Sequence, residues 1–205
     1  QAIVAALLAQ PPWLLFLCHP NNSTGTRLAA ELILALASMA PNTLVVVDEL
    51  YEAFTGDSVL PAADFEATPN LLVLRSLAKT AGLAGLRVGF AVGHAAVIDR
   101  MGRVTGPYDV NSVAVAAAFA ALADQSYVDA YVAEVLRARE WTLAALAQAN
   151  TRFHCDGGTY LLVWPQRPVA ELEEGLRAAG ILVRSMAGRP LIGGCCRVRS
   201  GLPGP

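Results

Sequence analysis

The sequence predicts an α/β fold: a mostly parallel sheet with helices on its faces, followed by a small C-terminal α+β domain. Three observations predict it. Short apolar runs alternate with a helix-period segment, which is the strand–helix–strand signature. Three successive apolar strands, near 14–18, 43–47 and 71–74, each end in a polar cluster. The 205-residue chain is also 55% hydrophobic and only 16% charged, against about 45–50% and ~25% in an ordinary globular domain. That excess fits a parallel sheet covered on both faces, or a protomer that hides surface in an oligomer.

The elements follow in order. Gln1 leads into an apolar run with no formal charge before Arg27. Pro11 and Pro12 cut it into pieces far shorter than the ~20 residues that span a bilayer. No basic segment precedes it, so it is not read as a signal peptide. It reads as the end of a helix, and the abrupt start implies absent upstream sequence. A buried strand follows at Leu14–Cys18, then the loop His-Pro-Asn-Asn-Ser-Thr-Gly-Thr. Thr26 is the expected N-cap of a helix over 27–39. Pro41 and Asn42 turn the chain into a β-branched strand over 43–47, which ends on Asp48-Glu49-Leu50-Tyr51. A loop to about Asn70 leads to the third strand.

A fourth strand is expected from Arg87 to Val92, a short helix over 95–101, and an alanine-rich helix capped by Asn111. The longest helical pattern runs from Gln125 to Asn150 with apolar residues at three-to-four spacing. A different rhythm follows: a strand over 159–164, a helix over 169–179 closed by Gly180, a short strand over 181–184 and a last strand over 196–198. Ser200–Pro205 reads as a tail without helix potential. The expected domains are 1–125 as the later part of a large domain, 126–150 as a connecting helix, and 151–205 as a small domain.

A net charge of −2 gives no reason to expect nucleic acid or a membrane surface as partner. Cys18, Cys155, Cys195 and Cys196 show no metal-ligand spacing, and His19, His94 and His154 are scattered, so no metal site is expected. Reduced thiols and a cytoplasmic location are the simpler reading.

Lys79 is the only lysine among fifteen basic residues. Chemistry that needs a side-chain primary amine therefore has one possible place, although a solvated loop charge is the plain alternative. Ser76 and Arg87 flank it, and Gly82 and Gly85 allow close backbone approach. A hydroxyl and a guanidinium near an amine suit an anionic ligand that also carries a carbonyl, which lysine can hold as a Schiff base. In an open α/β sheet ligands bind beyond the carboxyl ends of the strands, and the clusters 21–24, 48–51 and 76–79 all stand there.

The stretches PNNSTGT, VVVDELY, RSLAKTAGLAGLRVGF, PYDVN and GILVR, in this order, resemble the fold-type-I aminotransferases that use pyridoxal 5′-phosphate (PLP). Within that group they are most similar to histidinol-phosphate aminotransferases. The resemblance covers most of the chain and implies a three-layer PLP-dependent transferase large domain. It implies that Lys79 carries the cofactor and moves the proton, and that Asp48 pairs with the pyridinium nitrogen so that the ring acts as an electron sink. Asn22 and Tyr51 match the pair that bonds the cofactor's 3′ oxygen, and Ser76 and Arg87 match phosphate ligands. Arg197 resembles the clamp for the substrate carboxylate, with Arg199 and Arg184 as rivals.

Taken singly, Asp48 could be a turn residue, Tyr51 core, Asn22 an Asx-turn former, Ser76 a local backbone partner, and Arg87 an ion-pair partner of Asp48 or Glu49. Ser23, Leu50 and Thr159 depart from residues frequent in the family, and Leu50 is expected to crowd the cofactor. The family's upstream phosphate loop and stacking aromatic have no counterpart before the Asn motif. The implied reaction is transamination between an amino acid, or a histidinol-phosphate-like amine, and a 2-oxo acid, in a homodimer. The alternatives are decarboxylation of a phosphorylated amino acid, or a catalytically silent fragment that serves as a scaffold or interaction module.

Overall fold

The structure is a computed structural model that describes residues 2–199. The expected tail at 200–205 lies outside the described residues. The chain divides into two compact units, one running to Pro20 and over Arg27–Asp129, the other comprising Asn21–Thr26 and the chain from Ala130.

The first unit opens with helix α1 (Ala2–Ala9) and contains a four-stranded sheet: β1 (Leu14–Cys18), β2 (Leu44–Asp48), β3 (Leu71–Ser76) and β4 (Gly89–Gly93), in that spatial order. The first three strands are parallel, with Cys18 level with Asp48 and Asp48 level with Leu74. β4 returns antiparallel, pairing Gly89 with Ser76. The carboxyl ends of β1, β2 and β3 therefore share one edge. Alternation along the strands sets the core: Leu17, Val45, Val47, Leu71 and Val73 pack with Ile33 and Leu36 of α2 (Ala30–Met39). Asn70 Nδ2 reaches the Ala37 carbonyl at 2.9 Å and the Ala40 carbonyl at 3.1 Å. It thereby satisfies groups at the end of α2 that the helix cannot.

Helix α2 starts later than its composition suggests, with Ala29 at the cap and no side-chain bond there. Thr26 is not the cap because the loop already holds it. Its carbonyl accepts the Asn21 N–H at 2.9 Å, and its hydroxyl lies 2.8 Å from that of Thr24. Arg87 does not open β4 either: it sits before the strand with φ +56°, closing the 3₁₀ turn Leu83–Leu86. Helix α3 (Ala95–Gly102) follows β4, and α4 (Ser112–Ala123) is capped by Asn111 as expected, its side chain accepting the Ala114 N–H at 2.8 Å. Only Ala114 of α4 is buried; Val113, Phe119 and Leu122 are exposed.

Helix α5 (Gln125–Gln148) begins in the first unit and has most of its length in the second. There β5 (Arg152–His154), β6 (Tyr160–Trp164), β7 (Arg184–Ser185) and β8 (Cys196–Arg199) form an antiparallel sheet ordered β5-β6-β8-β7. Leu161, Val163 and Cys196 make its core with Leu143 and Leu146 of α5 and Leu172 of α6 (Val169–Ala178). Gly180 ends α6 at φ +78°: its N–H donates to Arg177 O and that of Ile181 to Leu176 O, a Schellman closure. This corrects the strand expected at 181–184. The Ile181 N–H is committed to the helix end, and Leu182 is 80% exposed. Among the described residues no helix is long and apolar enough to cross a membrane.

Candidate active site

The first unit gathers five of the expected site residues at or just beyond the shared strand edge. Asp48 closes β2, half-buried, and its Oδ1 accepts the Leu50 N–H at 3.0 Å. That is the Asx turn a strand-end aspartate makes, and it uses only one carboxylate oxygen. Its carbonyl accepts the His19 N–H at 2.8 Å, which fastens the end of β1 to the end of β2. Tyr51, buried, caps the 3₁₀ turn Glu52–Phe54 and tilts against Phe54. Lys79 lies three residues past β3, with Nζ 5.4 Å from the Tyr51 ring centroid. An ammonium over an aromatic face is attracted by the ring quadrupole, so the amine is held near the phenol.

Ser76 ends β3; its hydroxyl accepts the Ala78 N–H at 3.1 Å and donates to Val88 O at 3.4 Å. Arg87 is exposed and donates from Nη1 to Ala84 O at 3.1 Å. Both line one cavity of about 400 Å³, together with Leu50 and Phe90. The two expected phosphate ligands thus line one space, with Leu50 in its wall. The backbone at Arg87 is left-handed, a conformation a non-glycine residue seldom adopts. At Gly89 an added Cβ would stand 2.9 Å from Arg75 O, so only glycine lets β4 start this close to β3.

Arg87 does not pair with Asp48 or Glu49. Arg75 takes Glu49 instead: its Nε donates to Glu49 Oε2 at 2.9 Å, Nη2 to Ser58 Oγ at 2.9 Å, and Nη1 to Glu52. Glu49 is buried, and its Oε1 accepts the Val59 N–H at 2.7 Å. Burial pushes the Glu52 carboxyl up from its usual range, opposed by Arg75. This network fixes the 49–59 loop behind Asp48 and Tyr51. Sequence reasoning missed it because strand alternation gives no sign of which loop arginine meets which carboxylate.

His19 was missed too. It is fully buried, and its Nδ1 accepts the Leu28 N–H at 3.2 Å. The ring proton is therefore on Nε2, which meets no hydrogen-bond partner among the described residues. Burial lowers its pKa below 6.5; Glu49 and Asp57 oppose this and Arg27 reinforces it.

The second unit contains the other expected residues. Asn22 Oδ1 accepts a hydrogen bond from Arg197 Nη1 at 2.8 Å. Arg184 of β7 stands opposite Arg197 of β8 in register. Asn22, Arg184, Arg189 and Arg197 line a polar cavity of about 380 Å³. Arg199 is exposed at the end of β8 and is not among its walls. Three guanidinium groups around one space suit a ligand with more than one anionic group. With its oxygen engaged by Arg197, Asn22 keeps its Nδ2 hydrogens as donors. Burial raises the Cys155, Cys195 and Cys196 thiols above their usual value, and all four cysteines are unbridged.

Residues 1–199 match Aminotransferase class I and II. The chain belongs to this family. It is 36% identical over 205 residues to a histidinol-phosphate aminotransferase of Chromobacterium violaceum, covering 98% of this chain and 56% of the relative. Among solved structures it is similar to histidinol-phosphate aminotransferase from Sinorhizobium meliloti in complex with pyridoxal-5′-phosphate. That likeness has a TM-score of 0.85 at 25% identity and covers 97% of this chain and 55% of the other. It is also similar to L-threonine-O-3-phosphate decarboxylase from Porphyromonas gingivalis, with a TM-score of 0.80 at 28% identity, covering 93% and 60%. The chain spans about half the length of the curated relatives it matches. Membership of this aminotransferase family accords with the resemblance carried by the Lys79, Asp48 and Asn22 motifs.

Proposed function

We propose that this chain binds pyridoxal 5′-phosphate through Lys79 and transfers an amino group between an amino acid, or a histidinol-phosphate-like amine, and a 2-oxo acid. The observation that carries the proposal is the single amine of the chain held over Tyr51, just beyond the strand edge that Asp48 closes. The donor set fits the cofactor. In the first unit Asp48 offers a carboxylate for a ring N–H, the Tyr51 hydroxyl suits a phenolic oxygen, and Ser76 with Arg87 suits a phosphate; in the second unit Asn22 has its oxygen on Arg197 and its Nδ2 as a donor.

The bound cofactor supplies the carbonyl that accepts the amine and a ring that takes up electron density. The protein's residues do the rest. Lys79 Nζ, once released, takes a proton from the substrate carbon and returns it. Asp48 keeps a proton on the ring nitrogen, which preserves the sink. Tyr51 holds Lys79 near. Arg197, supported by Asn22, grips the substrate carboxylate, and Arg184 and Arg189 add charge for a second anionic group.

A homodimer is part of the proposal: the uncharged helix α4 leaves Phe119 72% exposed, apolar surface that a second copy would cover. Four unbridged cysteines favour a cytoplasmic setting. The testing experiment incubates the protein with PLP, histidinol phosphate and 2-oxoglutarate and follows glutamate. Glutamate formation that requires all three supports transamination. Release of CO₂ from O-phosphothreonine without glutamate formation would assign the decarboxylase reaction instead, and neither product would favour a silent scaffold.

A further inference from the structure

Tyr160 opens β6 and is 3% exposed. Its hydroxyl donates to the Asn21 carbonyl at 2.6 Å, across 139 residues of sequence. Its ring centroid lies 5.8 Å from Arg197 Cζ on the neighbouring strand β8. Arg197 in turn donates to Asn22 at 2.8 Å. The three contacts close a circuit: Tyr160 to the loop, the loop to Arg197, and Arg197 back to the Tyr160 ring. All of it lies within the second unit.

The surroundings leave this arrangement little room. An added Cβ at Gly25 would come 2.8 Å from Gly157 O, and one at Gly158 would come 3.0 Å from two Tyr160 ring atoms. The 21–26 loop therefore rests on the 156–157 backbone at a distance only glycine permits. The phenol is the side chain that pins its start. Without this donor the Asn21 carbonyl would keep the Gly25 N–H at 2.8 Å but lose a part-buried hydrogen bond that ties the loop to β6.

We propose that Tyr160 is a positioning residue for the anion grip. Its hydroxyl sets the loop that presents Asn22, and Asn22 orients the Arg197 guanidinium, while the ring adds a cation–π contact to that guanidinium. The inference rests on the aminotransferase reading of Arg197. It adds a residue that no motif singled out.

The test uses the full chain without cofactor and glutarate, an unreactive dicarboxylate, titrated by calorimetry. Wild type should bind glutarate. Tyr160→Phe keeps the ring and removes only the hydroxyl, and should weaken binding about five- to tenfold. In an Asn22→Ala background the same change should cost less than about twofold, because the hydroxyl acts through Asn22. Tyr160→Leu, which also removes the ring, should weaken binding further than Tyr160→Phe. Far-ultraviolet circular dichroism of each variant checks the fold, and Tyr160→Phe should match wild type. Unchanged binding in Tyr160→Phe overturns the proposal, as does an equal loss in both backgrounds. Failure of wild type itself to bind glutarate would overturn the carboxylate reading of Arg197 and this inference with it.

Discussion

Arg75 Nε donates to Glu49 Oε2 at 2.9 Å, and the Glu49 side chain is fully enclosed. Arg75 immediately precedes Ser76 on β3, and Glu49 immediately follows Asp48, the last residue of β2. Arg75, Ser58 and the Val59 N–H all donate to this buried carboxylate. Arg75→Met should destabilise the fold by about 3 kcal/mol, since it leaves the charge without its partner. Urea unfolding measures this; a loss below about 1 kcal/mol would mean that the pair is not what holds the loop.

Arg197 and Arg199 share β8, but only Arg197 lines the polar cavity with Asn22 and Arg184. Arg197→Lys should raise the KM for the 2-oxo acid roughly 10- to 100-fold, the range expected when a charge-assisted bidentate bond is lost. Arg199→Lys should leave it within about twofold. Steady-state kinetics of the two variants separate the rivals, and the reverse ranking would reassign the clamp.

Much of the fold was legible because its signals are local. The β-branched strand 43–47, the apolar strand 71–74, the Asn111 cap and the Gly180 closure each rest on a few adjacent residues. The clusters 48–51 and 76–79 fell on one edge because the parallel order of β2 and β3 requires it. The parts that were not legible depend on distant partners. β5 has one apolar residue in three, too few for a pattern. Thr26 looked like a cap, but the loop used its carbonyl first. The Arg75–Glu49 pair, the His19–Leu28 bond and the Tyr160–Asn21 bond join residues whose spacing carries no period.

His19 gives the fold a pH dependence. Burial depresses its pKa in the folded state below 6.5. The unfolded chain therefore binds the proton more readily, and stability is full above about pH 6.5 and is lost as pH falls through the depressed folded value. Glu52 acts with the opposite sign. Its folded pKa is raised above 4.5 by burial, so its contribution is present below that value and is lost as pH rises through the raised one. Urea midpoints between pH 7.5 and 5 should fall in wild type. His19→Asn, which keeps an acceptor for Leu28 but does not titrate, should flatten that fall; an unchanged slope would remove His19 as its source.

Asp48 anchors the electron sink in the proposed chemistry while its Oδ1 serves the local turn. Asp48→Asn should preserve the turn, the fold and the visible absorption band formed with PLP, and should lower kcat by about 100-fold or more through loss of the ring proton. Stopped-flow measurement of the first half-reaction reads this directly. A near-wild-type rate would take Asp48 out of the mechanism.

The most direct measurement is borohydride reduction of the PLP-treated chain followed by peptide mass spectrometry. A visible band should form on adding PLP, vanish on reduction, and leave one pyridoxyl group on the peptide containing Lys79, with none on Lys79→Ala of equal helix content. Absence of the band in wild type, or labelling of the chain at equal yield in Lys79→Ala, would contradict the assignment of this single amine as the cofactor's attachment point.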